Sequence, residues 1–189
     1  MEDCFFVYHV VTDREMVLGQ RIRFDGENFS GVYRRVMEKV PLVEEIYAHP
    51  ERYGELEHHT MVALRELALE EVRLKEYPQH PSRMACLYAS ESLEEAENWC
   101  DLFVRLKRPV YGIVRLRVCG RKFVGDANNC FSATPDRVRN LALAERYWAK
   151  LPNHSGKAPI NEILIDGDIE VVEIVREVRA NLPDSSGNG

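Results

Sequence analysis

Seven short apolar runs that read as strands and four longer segments that read as helices follow one another in the order β-β, helices, β-α-β-β-α-β-β. That order constrains the fold more than any motif does. A doubly wound parallel sheet needs strict strand–helix alternation, which is absent, so the order predicts a mixed α+β fold. The strand readings are Cys4–Thr12, Gly19–Phe24, Met84–Ala89, Val110–Val118, Lys122–Val124, Ile160–Ile165 and Ile169–Val178. Cys119-Gly120-Arg121 predicts a hairpin between two of them, and Asp166-Gly167-Asp168 a turn between two others.

The helices carry their own punctuation. Phe29–Val40 reads as helical and is ended by Pro41. In Leu56–Tyr77, residues Leu56, Met61, Leu64, Ala68 and Val72 share one face, and Pro78 and Pro81 stop the run. Ser90 or Ser92, followed by Glu94 and Glu95, opens the next helix with a capping oxygen and first-turn acids. Pro135–Ala149 has its proline in the first turn. The chain of 189 residues reads as one domain over 1–180, with roughly 24–80 as a helical insertion and a polar, disordered tail over 181–189.

Several function classes are excluded at this level. No run approaches the roughly 18 apolar residues of a membrane helix, and the first residues are acidic where a signal peptide needs bases. A soluble, cytoplasmic protein without a membrane partner is expected. Five cysteines, none in a C-x-x-C pair, read as reduced thiols rather than a zinc or thioredoxin-type site, and no metal site is expected. The adjacent His58 and His59 would face different ways on a helix. Walker, dinucleotide-binding, G-x-S-x-G and H-E-x-x-H fingerprints are missing. Residues 101–150 hold eleven Lys and Arg against four Asp and Glu inside a chain of net charge −6. Such a block is either a phosphate-binding surface or the solvent face of a hairpin.

Three places set polar chemistry on strand ends: Tyr8-His9-Val-Val-Thr12, which alone reads more readily as a satisfied core histidine, Leu87-Tyr88-Ala89-Ser90, which alone reads as plain strand–helix packing, and Asn161-Glu162 entering Ile163-Leu-Ile. A carboxylate at the head of an aliphatic strand sits at an open end, pairs with a base, or is functional, because burying it unpaired is costly.

These segments resemble the His–Tyr–Glu triad of the ADP-ribosyltransferase superfamily, in its poly(ADP-ribose) polymerase-like branch. Tyr8-His9-x-x-Thr12 is similar to the histidine strand of small bacterial members. Cys86-Leu87-Tyr88-Ala89-Ser90, followed by Ala96-Glu-Asn-Trp99-Cys100, is similar to the tyrosine strand and its helix. Asn161-Glu162-Ile-Leu-Ile-Asp166 is similar to the glutamate strand. The chain also resembles a bacterial family marked by an early Tyr-His, S-R-x-x-C-L-Y (Ser82–Tyr88), D-A-N (Asp126–Asn128), Tyr147-Trp148 and a late E-[IV]-L (Glu162–Leu164). Val10 and Ala96 stand where the superfamily often has a glycine and a small hydroxyl residue.

The resemblance implies a split, mixed or antiparallel β-sheet of the ADP-ribosyltransferase type, with NAD as substrate. It assigns catalysis to Glu162, Tyr88 and His9, and cofactor binding to His9, Thr12, Tyr88 and Trp99. Tyr88 and Trp99 would sandwich the nicotinamide, whose positive charge suits aromatic faces. Glu162 would accept a bond from the nicotinamide-ribose 2′-hydroxyl as the bond to the ring breaks with oxocarbenium character. His9 would anchor the adenosine ribose with Thr12 beside it, as a binder rather than a base. Arg14, Arg21 and Arg83 are candidate donors to the diphosphate. The expected activity is mono-ADP-ribosyl transfer to a macromolecule, with a lean toward nucleic acid over protein; basic residues of 101–150 would supply the track, and Tyr147 and Trp148 either pack in the core at the end of an Ala-rich helix or serve as stacking surfaces. A toxin or defence effector with an antitoxin or regulatory partner fits that description. A non-catalytic NAD- or ADP-ribose-binding module, an NAD glycohydrolase, and an interaction protein with coincidental matches are the rivals.

Overall fold

A computed structural model describes residues 4–24 and 29–183. The fold is α+β, with antiparallel strand pairing. Part of the tail expected to be disordered, from 184 on, lies outside the described residues.

Contacts divide the chain into two compact units. The first takes Met1–Arg23, Tyr88–Gly120 and Ile165–Gly189. Its centre is β4 (Val110–Cys119), which pairs with β1 (Phe5–Val11) on one side and β7 (Asp168–Ala180) on the other. A short β2 (Arg21–Arg23) completes the sheet order β1-β4-β7-β2. Period-two alternation explains the central strand. Leu116 and Val118 are buried, while Arg115 and Arg117 reach Glu173 and Glu170 of β7. Helix α4 (Leu93–Arg105) covers β1 and β4 with Ala96 and Cys100, against Val10, Val110 and Ile113. Its start is the capping box expected from sequence: Ser92 Oγ accepts from Glu95 N at 3.2 Å, and the Glu95 carboxylate accepts from Ser92 N at 3.4 Å.

The second unit takes Phe24–Leu87 and Arg121–Leu164. It holds α1 (Gly31–Met37), α2 (Val40–Ala48), α3 (His58–Glu76), α5 (Arg137–Trp148) and β5 (Lys122–Asp126). Ala68, Leu69 and Val72 of α3 meet Ala144, Tyr147 and Trp148 of α5 in one core cluster, with Phe123 and Leu164. The helix read over Phe29–Val40 is shorter than expected. Pro41 does not end it but lies in the first turn of α2, where a missing N–H costs nothing.

The hairpin expected at Cys119-Gly120-Arg121 does not form. Strand β5 belongs instead to a three-stranded sheet of order β3-β6-β5, with β3 at Leu87–Ala89 and β6 at Asn161–Ile165. The Asp166-Gly167-Asp168 turn likewise joins strands of different sheets. Two glycines explain how both chain segments cross. A Cβ on Gly120 would collide with the Asp166 carbonyl oxygen. One on Gly167, whose φ is +95°, would lie 2.6 Å from the Cys119 carbonyl oxygen. Only glycine allows both the backbone angle and the approach.

The cysteine reading also needs correction. Cys4 and Cys119, 115 residues apart, form a disulfide beyond the Phe5–Val118 pair, so β1 is tied to the end of β4. Register creates this pair, and spacing could not show it. Cys86, Cys100 and Cys130 form no disulfide among the described residues, and the first two are buried. Disulfides persist in oxidising compartments, so the cysteines lend the cytoplasmic expectation no support. Closing so long a loop restricts the unfolded chain, so reduction or Cys119→Ser should lower stability by about 2–5 kcal/mol. Urea melts with and without dithiothreitol measure this; coincident midpoints would contradict it.

Candidate functional site

In the first unit, β1 is stitched to the segment that opens α4. Tyr8 N donates to Ser90 O at 2.9 Å and Ser90 N donates to Tyr8 O at 2.8 Å. The next residue, His9, is buried, and its Nδ1 lies 2.7 Å from the Tyr88 carbonyl oxygen. A carbonyl can only accept, so Nδ1 carries the proton and Nε2 is left as an acceptor when the ring is neutral. Burial pushes the imidazole below its ordinary value, and the bond to Tyr88 only partly restores it. His9 is therefore a neutral, oriented ring.

The Tyr88 side chain stands at the surface, with the residue 36% exposed. Trp99 packs at the edge of the α4 core, its ring centroid 5.7 Å from Phe103. Thr12, just past β1, is half-buried. Val10 and Ala96, at 8% and 0% exposure, fill this core, which accounts for apolar residues at both positions. The structure thus joins the His9 ring to the backbone of Tyr88, through its carbonyl.

Glu162 lies in the second unit, at the second position of β6, within a network of charged groups. Its Oε1 accepts from Arg83 Nη1 and from the Tyr147 hydroxyl, the latter at 2.6 Å. Arg83 is buried and divides its guanidinium. Nη1 also donates to the Tyr147 oxygen at 2.8 Å, Nε donates to Glu66 Oε2 at 2.9 Å, and Nη2 lies 3.5 Å from Cys130 Sγ. Arg65 closes the far end, with Nε and Nη2 each 3.0 Å from Glu66 Oε1. Burial opposes the charge on Glu66, but Arg83 and Arg65 outweigh it and hold the carboxyl below its ordinary range. Burial also raises the Cys130 thiol, which argues against a nucleophilic cysteine. Both bonds to Glu162 fall on Oε1. Among the described residues Oε2 accepts none, and the side chain is 14% exposed.

Other candidates resolve differently. Arg83 cannot serve as a diphosphate donor, because its guanidinium is already engaged with Glu66, Tyr147 and Glu162. Arg14 and Arg21 are exposed. Tyr147 and Trp148 are fully buried, and the Trp148 ring N–H donates to Leu69 O at 2.8 Å, so neither can stack on a base. Much of the basic block is tied down as well. Arg117 pairs with Glu170, Arg137 with Glu71, and Arg121 and Arg146 donate to the Pro78 and Pro152 carbonyls. Arg105, Lys107 and Arg108 are exposed together at the end of α4. Asp126 of the D-A-N motif is a clasp. It accepts from Asn128 N, Ile160 N and Asn153 Nδ2 at 2.9, 3.0 and 2.6 Å, fixing the approach to β6. His58 and His59 meet edge to face, and no group of three His, Cys, Asp or Glu among the described residues could hold a metal ion. No described helix is long and apolar enough to cross a membrane.

Sequence reading did not find the partners of Glu162. The available signal was Glu66 itself, three residues from Ala63 and three from Leu69 on the buried face of α3, where an unpaired acid is untenable.

The family model of DUF2441, described as a protein of unknown function, matches residues 7–177. The chain belongs to the DUF2441 family. His9, Thr12, Glu66, Arg83, Tyr88, Trp99, Tyr147 and Glu162 all lie within that match. No curated protein matches the chain.

A neutral buried His9 has a consequence for this DUF2441 chain. The unfolded histidine takes up a proton below about pH 6.5, whereas the folded one resists, so its contribution to stability is complete above that pH and is lost as pH falls. His80, lowered chiefly by burial, acts in the same direction. Urea midpoints should fall between about pH 7 and about pH 5.5, above the range of the carboxylates. His9→Asn should reduce the drop; an unchanged drop would contradict the assignment.

Proposed function

We propose that the protein is an NAD-dependent mono-ADP-ribosyltransferase. The observation that carries the reading is the state of Glu162: one oxygen is anchored by Arg83 and Tyr147, and the other accepts no hydrogen bond among the described residues. A carboxylate so held can take a ribose hydroxyl without first giving up a bond. The likeness of three segments to the ADP-ribosyltransferase triad supplies the reaction, and with it the expectation of that superfamily's split sheet.

In this reading His9 binds the adenosine ribose through its free Nε2, with Thr12 beside it. Tyr88 and Trp99 supply the aromatic faces for nicotinamide, and Arg14 and Arg21 are the arginines available to the diphosphate. The bond between ribose C1′ and the nicotinamide nitrogen breaks, and its electron pair leaves with the ring, which becomes neutral. Glu162 Oε2 accepts from the 2′-hydroxyl and stabilises the oxocarbenium charge that develops. A nucleophile on the acceptor then bonds to C1′ and releases its proton to solvent. The acceptor is a macromolecule. Loss of Tyr147 and Trp148 as stacking surfaces removes much of the reason to favour nucleic acid; Arg105, Lys107 and Arg108 are one exposed basic group that remains.

Release of free nicotinamide from NAD tests the reading. Glu162→Gln should lower turnover about 10²- to 10⁴-fold, and radiolabel from adenylate-labelled NAD should move to an RNA, DNA or protein fraction. Nicotinamide release without transfer would identify a glycohydrolase. Protection of melting by NAD without turnover would identify a binding module. Wild-type turnover in Glu162→Gln would overturn the assignment.

A further inference from the structure

Arginine and carboxylate commonly meet in a two-toothed bond that occupies both oxygens of the acid. Arg83 does not meet Glu162 in that way. Its Nη1 alone reaches Glu162, while Nε bonds Glu66 Oε2 at 2.9 Å and Nη2 lies 3.5 Å from Glu66 Oε1. Glu66 is itself secured by the two bonds from Arg65.

The second donor to Glu162 is equally constrained. Tyr147 is fully buried, with Phe123 and Trp148 rings at 5.5 and 5.0 Å and its hydroxyl aimed at Oε1. A carboxylate can rotate about its last bond. Two donors converging on one oxygen remove that freedom and fix where the other oxygen points.

We propose that Arg83 and Tyr147 are positioning residues for Glu162, and that Glu66 keeps Arg83 from closing on both of its oxygens. The inference rests on the transferase reading above. The network orients Oε2 toward the ribose hydroxyl before substrate arrives, so the reaction need not spend binding energy on orientation. It also gives Glu162 a counter-charge that costs it only one oxygen. Within the network each group acts on the next: Arg65 on Glu66, Glu66 on Arg83, and Arg83 with Tyr147 on Glu162.

Steady-state kinetics of nicotinamide release separate this from a purely structural role. Tyr147→Phe removes one oxygen and keeps the buried ring; it should lower kcat about tenfold and change KM for NAD by less than about twofold. Glu66→Gln keeps the shape of the side chain but weakens its hold on Arg83, and should show the same split. Val43→Ala, a core change in α2 within a different cluster from Tyr147 and away from both carboxylates, should lower the melting temperature and leave kcat unchanged. Wild-type kcat in both Tyr147→Phe and Glu66→Gln, beside an inactive Glu162→Gln, would overturn the positioning role while leaving the transferase reading intact. A kcat loss in Val43→Ala matching that in Tyr147→Phe would also overturn it, since instability would then explain both. Absence of nicotinamide release from the wild-type protein would overturn both reading and inference. If Tyr147→Phe does not fold, Glu66→Gln decides on the same constants.

Discussion

Arg83 holds two acids with one guanidinium, and the second unit is organised around that bond. Three of its elements contribute: α3 brings Glu66 and Arg65, α5 brings Tyr147, and β6 brings Glu162. None of these charges would be tolerated alone at such depth. Removing one member of a buried pair commonly costs about 3–5 kcal/mol, because the partner is stranded. Two arginines and two glutamates leave the network without net charge. Neutrality explains how it can sit beside an apolar core of Leu69, Phe123 and Trp148 without expelling its members into water.

The first unit solves a different problem with fewer groups. A histidine inside an apolar strand is held by one carbonyl, which fixes its proton and leaves one nitrogen to act. Here burial alone decides the charge state, since no acid contributes to the His9 shift. Buried polar groups in the two units are thus accommodated in two ways, once by pairing opposite charges and once by keeping a group neutral.

Local features were legible where their cause was local. The Ser92–Glu95 capping box, the long α3 and the strand bearing His9 follow from residues within a turn or two of one another. Pro41 was misread because proline both stops one helix and opens the next, and only the following residues show which. Cys119-Gly120-Arg121 looked like a hairpin because a glycine between two strands usually makes one. Its glycine instead answers to Gly167, 47 residues later, at a crossing that local pattern does not encode. The same distance hid the Cys4–Cys119 bond and the choice of Arg83 as partner to Glu162. Tyr147 illustrates the limit well. Its burial at the end of an Ala-rich helix was one of two readings, but the destination of its hydroxyl depends on a strand fifteen residues away.

The central claim is that Glu162 keeps one carboxylate oxygen available for the sugar of NAD. A crystal structure of the wild-type protein with a hydrolysis-resistant NAD analogue addresses it most directly. The account expects the nicotinamide-ribose 2′-hydroxyl about 2.6–3.2 Å from Glu162 Oε2, with Oε1 still bonded to Arg83 and Tyr147. A bound analogue whose ribose makes no contact with Glu162, or a Glu162 whose two oxygens are both taken by Arg83, would contradict it.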